Sequence, residues 1–310
     1  MLTHTQHAGW IISLVIILAT PTARSADTFS VATYNLENYL DHAEGGRKAK
    51  SDSAKAKIRE SICAMAPDVL AVQEIGDQSA LLELRESLKA EGQFFPYWEH
   101  VSGLDTNIHL AVLSKFPVVA KHSHSNESFL LHGRRFRVSR GFAELDIQVN
   151  QEYTFTLFTA HLKSKRRVPE ASEADLREQE AFCLRKIVNA RLSANPNLNL
   201  VVLGDFNDTK DSRPFRLLRG RGQRALIDIR PAERNGDNQP NPIPSFSPAT
   251  VTWTYYYGKQ DTYSRIDFIL LSRGMARELD PKGTYVLTLP NWGTGSDHRP
   301  IIARFSARDQ

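Results

Sequence analysis

The chain has 310 residues, 41% hydrophobic and 24% charged, which is the balance of a soluble globular protein and excludes a low-complexity or disordered chain. A formal net charge of +4 suits a phosphorylated substrate, and is too small to argue for nucleic acid by itself. The length fits one large α/β domain or two small ones.

Residues 9–20 read GWIISLVIILAT, an apolar run too short to span a bilayer comfortably. PTARSA follows, with Ala23 and Ser25 at the small-residue positions that a signal peptidase prefers. Residues 1–25 are therefore read as a secretory signal and residues 26–310 as one domain, secreted or periplasmic. The segment ahead of the apolar run has no Lys or Arg. An uncleaved N-terminal anchor is the alternative, again with the domain outside the cytoplasm. No stable membrane insertion of the mature chain is expected.

The mature part alternates strand and helix patterns. TFSVATYNLENY begins as a β-branched and aromatic strand and turns polar at Asn35, ahead of a lysine-rich loop over residues 41–50. A helix pattern over residues 53–66 stops at Pro67. DVLAVQEI is a nearly continuous apolar run, the mark of a buried strand, and ends on Glu74. A helix over residues 78–90 precedes a strand-like HLAVLSKFPVVA. FRVSRGFAELDIQV and YTFTLFTAHLKSK alternate as half-buried strands do. A long helix over residues 172–192 leads into NLVVLGDFND, another buried strand with a polar end. Residues 229–250 read as an irregular loop; SRIDFILLS and RPIIARFS are the last strands. The two cysteines, Cys63 and Cys183, fall in amphipathic helix patterns and are expected as buried thiols rather than a disulfide.

Apolar strands repeatedly end in acids, amides or histidines: Asn35, Glu74, His161, Asp205 with Asn207, Asp267, and Asp297 with His298. A carboxylate at the end of a buried strand needs a cation or a donor to stay charged. Oxygen donors without thiolates suit a hard divalent ion, Mg²⁺, Mn²⁺ or Ca²⁺. Histidine beside aspartate suits proton transfer or contact with a phosphate oxygen. The arginines of RRFRVSRG and the lysines of HLKSKRR, among them Arg140, Lys163 and Lys165, offer phosphate contacts. Together these groups describe hydrolysis of a phosphate ester.

In this order TYNLEN, LAVQEI, AHLKSK, GDFND, SRIDFIL and SDHRPI resemble the endonuclease/exonuclease/phosphatase superfamily, the DNase I-like fold, over most of the mature chain. The resemblance implies an α/β protein, a four-layer α/β/β/α sandwich of two packed mixed sheets flanked by helices, with its site at one end. It makes Glu74 the principal metal ligand, with Asn35 and Asp297 close to the ion. It gives Asp205 the attacking water, Asn207 the phosphate or nucleophile, and His298 the scissile phosphate with Asp267 as its carboxylate partner. His161 resembles the histidine on the leaving-group side. The glutamate that usually supports that histidine is not evident near DTNIHLAVLS, where Asp105 is the nearest acid.

The expected activity is an exported, metal-dependent phosphodiesterase, a nuclease acting on DNA or RNA. Competing readings are a phosphatase or a phospholipid phosphodiesterase of the sphingomyelinase or inositol-phosphate type, and an inactive binding module. The aromatic stretch TWTYYYGKQDTYSRIDF is either ordinary strand packing or a surface for stacking bases. Nothing demands a protein partner, and a monomer is expected.

Overall fold

The computed structural model describes residues 26–233 and 252–310. The expected signal segment and most of the expected irregular loop lie outside these residues. Two mixed sheets dominate. The first has seven strands, from edge to edge Ala232–Glu233, Leu279–Val286, Ile301–Ser306, Thr28–Tyr39, Val69–Ile75, His109–Ser114 and Tyr97–Val101. The second has six: Ile227–Asp228, Asp267–Leu271, Leu200–Asp205, Thr154–His161, Phe142–Gln148 and Val118–Lys121.

Three apolar cores separate four layers, which is the α/β/β/α sandwich expected. Because successive strand residues face opposite ways, each apolar run serves two cores. Val69 and Ala71 join Val201, Leu203, Ile269 and Phe305 between the sheets. Leu70 and Val72 face the other way, onto Ile58 and Ile62 of helix Asp52–Met65 and Leu81 and Leu84 of helix Gln78–Ala90. Val202, Phe268 and Phe158 pack in the same manner against Leu184 and Val188 of helix Glu173–Ala194. Strands buried on both faces explain why these runs lack alternation.

Two expected strands divide. HLAVLSKFPVVA breaks at Pro117, and its halves join different sheets, since proline cannot continue a hydrogen-bonded ladder. FRVSRGFAELDIQV breaks at Ser139–Gly141, with Gly141 at a φ of 69°. Its first half pairs instead with Ser128–Leu131 as a separate hairpin. The edge strand Tyr97–Val101, the strand Leu279–Val286 and the short helix Arg213–Arg219 carry no clear sequence pattern. Both cysteines are free; Cys183 is buried, whereas Cys63 is only partly buried and donates its thiol hydrogen to Glu91. Among the described residues no helix is long and apolar enough to cross a membrane.

The strand register positions the polar ends. Asp205 lies opposite His161 on one neighbour and opposite Asp267 on the other. At the far end of the sandwich sits a different buried acid, Glu278, which accepts a hydrogen bond from the Tyr153 hydroxyl. Burial pushes its carboxyl up to about 7, against the lowering effect of that hydrogen bond. The folded chain thus holds this proton more tightly than the unfolded chain. The resulting stabilisation is full below the ordinary value of 4.5 and is lost as pH rises through about 7. Glu278→Gln should match the parent near pH 4 and exceed its stability at pH 8 by on the order of 2–3 kcal/mol. Urea unfolding at both pH values checks this; a difference independent of pH would contradict it.

Candidate active site

The second sheet brings three site residues into one row. His161, Asp205 and Asp267 end adjacent strands in register, each at most 2% exposed. The two innermost strands approach closely at Gly204, where a Cβ would meet the Ala160 carbonyl oxygen at 2.0 Å. Any side chain there would separate His161 from Asp205, which gives the glycine of GDFND its reason. The chain then turns at Asn207, whose φ of 54° is a conformation that asparagine tolerates.

The first sheet contributes Asn35 and Glu74. Glu74 stands at φ 60°, at a register shift between Gln73 and Ile75. This bulge lets Ile75 stay in the core while Glu74 swings to the open end. Asn38 donates its backbone N–H to Glu74 Oε2 at 3.0 Å. Asn35 Nδ2 donates to Asp205 Oδ2 at 3.0 Å and lies 3.5 Å from Glu74 Oε1. Its oxygen accepts the Glu37 N–H at 3.0 Å. In this arrangement Asn35 orients two carboxylates, and presenting its oxygen to an ion would require a turn of the amide.

The loop ending in SDHRPI completes the group. His298 Nδ1 lies 2.8 Å from Asp267 Oδ2. Its Nε2 is 3.8 Å from both Asp205 Oδ2 and Asp297 Oδ1. Burial opposes charge on this ring, but the Asp267 carboxylate, helped by Asp205 and Asp297, raises it to about 10. Adjacent residues Asp297 and His298 do diverge: Asp297 is partly exposed, whereas His298 is buried.

Asp205 is the most contacted acid. Oδ1 accepts the Asn207 N–H at 2.8 Å, and Oδ2 also accepts Asn207 Nδ2 at 3.2 Å. Burial first, with Asp267 adding, pushes its carboxyl up to about 7, while His298 pulls the other way. His161 Nε2 is 3.4 Å from Asp205 and 3.9 Å from Glu74. Burial, then the positive charges of Arg140 and His298, hold His161 well below the usual imidazole range. Its Nδ1 has no hydrogen-bond partner. Asp105 is engaged elsewhere, accepting the N–H of Asn107 at 3.0 Å and lying 3.5 Å from Arg140 Nε.

The three basic residues expected at phosphate divide. Arg140 is buried and donates to the Leu162 carbonyl at 3.4 Å, beside Asn207, which donates to the same oxygen at 3.0 Å. The Lys163 ammonium donates to the carbonyls of Ser164 and Arg166. Lys165 lines a cleft of about 510 Å³ with Arg166, Asn207, Tyr255, Tyr257 and Lys259. Arg134, Arg135 and Arg137 stand on the separate Ser128–Arg137 hairpin.

Three further residues support the site. Thr254, fully buried, accepts the N–H groups of Ile266 and Asp267 at 3.2 Å each. Ser296, fully buried, donates to the Asn35 carbonyl at 2.8 Å and accepts the His298 N–H at 3.0 Å. The Tyr255 ring lies 4.7 Å from the His298 ring. Thr254 and Tyr255 lie within the aromatic stretch and Ser296 opens SDHRPI, but none of the three stands out there as a site residue.

A divalent ion fits the oxygen end of this group. Asp297 is pushed up to about 6 by burial, with the charges of Glu37 and Glu74 adding to it. Crowded carboxylates of this kind are relieved by a hard cation. The buried triad Asp205, Asp267 and His298 also has its ligand atoms within 4.8 Å of one another.

The sequence profile described as the Endonuclease/Exonuclease/phosphatase family matches residues 32–298. Truncated TDP2 from Caenorhabditis elegans superposes with a TM-score of 0.59 at 17% identity, covering 90% of this chain and 98% of its own. The human nocturnin catalytic domain with bound sulfate anion gives a TM-score of 0.59 at 16% identity, covering 93% and 97%. Sphingomyelinase C from Streptomyces griseocarneus gives 0.58 at 18%, covering 91% and 100%. At such identities these structures attest the shared fold. No curated protein matches the sequence. The profile spans nearly all of the described strands and every residue of the site, and the chain belongs to the endonuclease/exonuclease/phosphatase family, whose members hydrolyse phosphoric esters.

Proposed function

We propose that this protein is an exported, divalent-metal-dependent phosphodiesterase that cleaves nucleic acid. One observation carries the choice of substrate. Next to the Asp205–Asp267–His298 group, the cleft joins cationic Lys165, Arg166 and Lys259 to the rings of Tyr255 and Tyr257, which lie 6.3 Å apart. Cations for phosphates beside aromatic faces for bases are what a nucleic acid strand requires. The apolar run and small residues before position 26 support export.

The family uses divalent metal ions. Glu74 and Asp297 would hold the ion, with Asn35 beside it, and the ion, of Mg²⁺ or Mn²⁺ type, would supply positive charge to a phosphate oxygen. The remaining work falls to the chain itself. Asp205, its carboxyl raised toward neutrality by burial, is suited to take a proton from an attacking water. Asn207 holds that carboxylate through two hydrogen bonds. His298 carries a proton throughout the neutral range and can donate Nε2–H to a non-bridging oxygen as negative charge grows there. His161, neutral, faces the same carboxylates from the opposite side, which suits the leaving-group role that the family resemblance implies for it.

Plasmid DNA, RNA, sphingomyelin and bis-p-nitrophenyl phosphate, each with Mg²⁺, Mn²⁺, Ca²⁺ or EDTA, test the reading. Metal-dependent cleavage of a polynucleotide is expected; turnover confined to the lipid or the small diester would overturn it. His298→Ala should lower kcat/KM by on the order of 10²–10³, the loss seen when one preorganised donor is removed. Asp267→Asn should act in the same direction, with KM little changed.

Binding should weaken steeply with salt. Removing one phosphate contact with Lys165→Ala should raise KM for the polynucleotide and reduce the slope of log K against log [salt] by about 1. Fluorescence anisotropy with a metal-free strand measures this, and an unchanged slope would place Lys165 off the track.

A further inference from the structure

Two charged side chains of helix Glu173–Ala194 are buried outside the hydrolytic group. Arg177 is 3% exposed and Glu180 1%. Three residues apart, they share one face of the helix. Around them Leu176, Ala181 and Leu184 bury apolar surface against the second sheet. An aliphatic pair would serve packing as well, since a buried charge offsets its desolvation only through the bonds it makes.

Those bonds all go to residues that flank the site. Glu180 Oε1 accepts the Ser139 N–H at 2.9 Å and the Ser139 hydroxyl at 2.6 Å. Its Oε2 accepts the Lys163 N–H at 2.6 Å. Arg177 Nη1 donates to the Lys163 carbonyl at 3.0 Å and to the Glu173 carbonyl at 3.4 Å. Its Nε donates to Asp208 Oδ2 at 3.0 Å, and Nη2 lies 2.9 Å from the same oxygen. One helix therefore holds Lys163 by both its N–H and its carbonyl.

Each anchored segment carries a site side chain. Ser139 precedes Arg140, Lys163 stands two residues after His161, and Asp208 follows Asn207. Between the anchors, the Leu162 carbonyl accepts from Arg140 and from Asn207, and the Leu162 N–H donates to the Asp205 carbonyl at 3.0 Å. Freeing Lys163 would let the Leu162 peptide turn, and His161 and Asn207 would shift with it. We propose that Arg177 and Glu180 are positioning residues for hydrolysis, which align His161 and Asn207 on Asp205 by clamping three chain segments to one helix face. The inference rests on the roles given above to His161 and Asn207, and not on which phosphoric ester is the substrate.

Steady-state kinetics on whichever ester of the panel above the parent hydrolyses tests the clamp. Near-UV circular dichroism gives the folded fraction, so that kcat is expressed per folded molecule. Glu180→Ala should lower kcat by about 10–100-fold and leave KM within about twofold, because small misplacements act on the chemical step. Glu180→Gln keeps the shape but turns an amide N–H against either Ser139 or Lys163, and its kcat should fall between parent and Glu180→Ala. Arg177→Lys keeps the charge without the fork that spans Lys163 and Asp208, and should lose about tenfold in kcat. If Glu180→Ala does not fold, the Gln and Lys variants decide. A role confined to stability would lower the melting temperature and leave kcat per folded molecule unchanged. That result, or a change confined to KM, would overturn the proposal. His161→Ala and Asn207→Ala are measured alongside. If both keep full kcat, the roles assigned to those two residues fail and the inference falls with them. If they lose kcat while the Glu180 and Arg177 variants keep it, the positioning role alone is overturned.

Discussion

The hydrogen bond from Asn35 in one sheet to Asp205 in the other is the constraint around which the molecule is arranged. Asp205 is 1% exposed, and a carboxylate removed from water is costly unless donors and cations surround it. Its donors come from both sheets, so satisfying it fixes how the open end of the sandwich closes. A second polar bridge lies one layer deeper: Gln73 donates to Thr159 at 3.1 Å and is paired with Thr33 at 3.2 Å or less. Apolar packing brings the sheets together anywhere along their faces. These amide contacts choose one alignment, and with it the meeting of Glu74, Asp205 and His298.

The same carboxylate faces two imidazoles in opposite protonation states. Asp267 stands behind His298 and keeps it cationic. No acid is bonded behind His161; burial first, and then the charge of Arg140, keep a proton off it. Environments that separate the proton affinities of like groups are how one site hosts both an acid and a base. Placing the acid behind one ring only makes the centre asymmetric, and the cleft with its tyrosines opens beside the cationic ring, where Tyr255 rests.

Much of this was legible because chemistry and fold share positions. Residues that end buried strands announce themselves by breaking an apolar run, and Glu74, Asp205 and Asp267 all do so. Lone hydroxyls do not: Thr254 accepts the N–H groups of Ile266 and Asp267, and Ser296 reaches across to the Asn35 carbonyl, contacts between segments far apart in sequence that no local spacing encodes. The bulge at Glu74 was equally hidden, because VLAVQEI reads as an unbroken strand. Pro117 and Gly141 did mark the breaks on either side of the hairpin. The β-forming composition of their neighbours masks those breaks, because nothing local encodes which sheet each half joins. Lys163 shows the limit of charge as a guide, since its ammonium serves the backbone of its own loop.

Glu74 holds a left-handed backbone that costs a residue with a side chain about 1–2 kcal/mol. Only glycine would adopt it freely, and glycine has no carboxylate. Fold and chemistry therefore prefer different residues at this one position. With Glu74 in its proposed role as metal ligand, a library of variants screened only for thermal resistance would drift toward glycine here and lose that ligand. Recovering glutamate at this position would take a screen that also demands turnover.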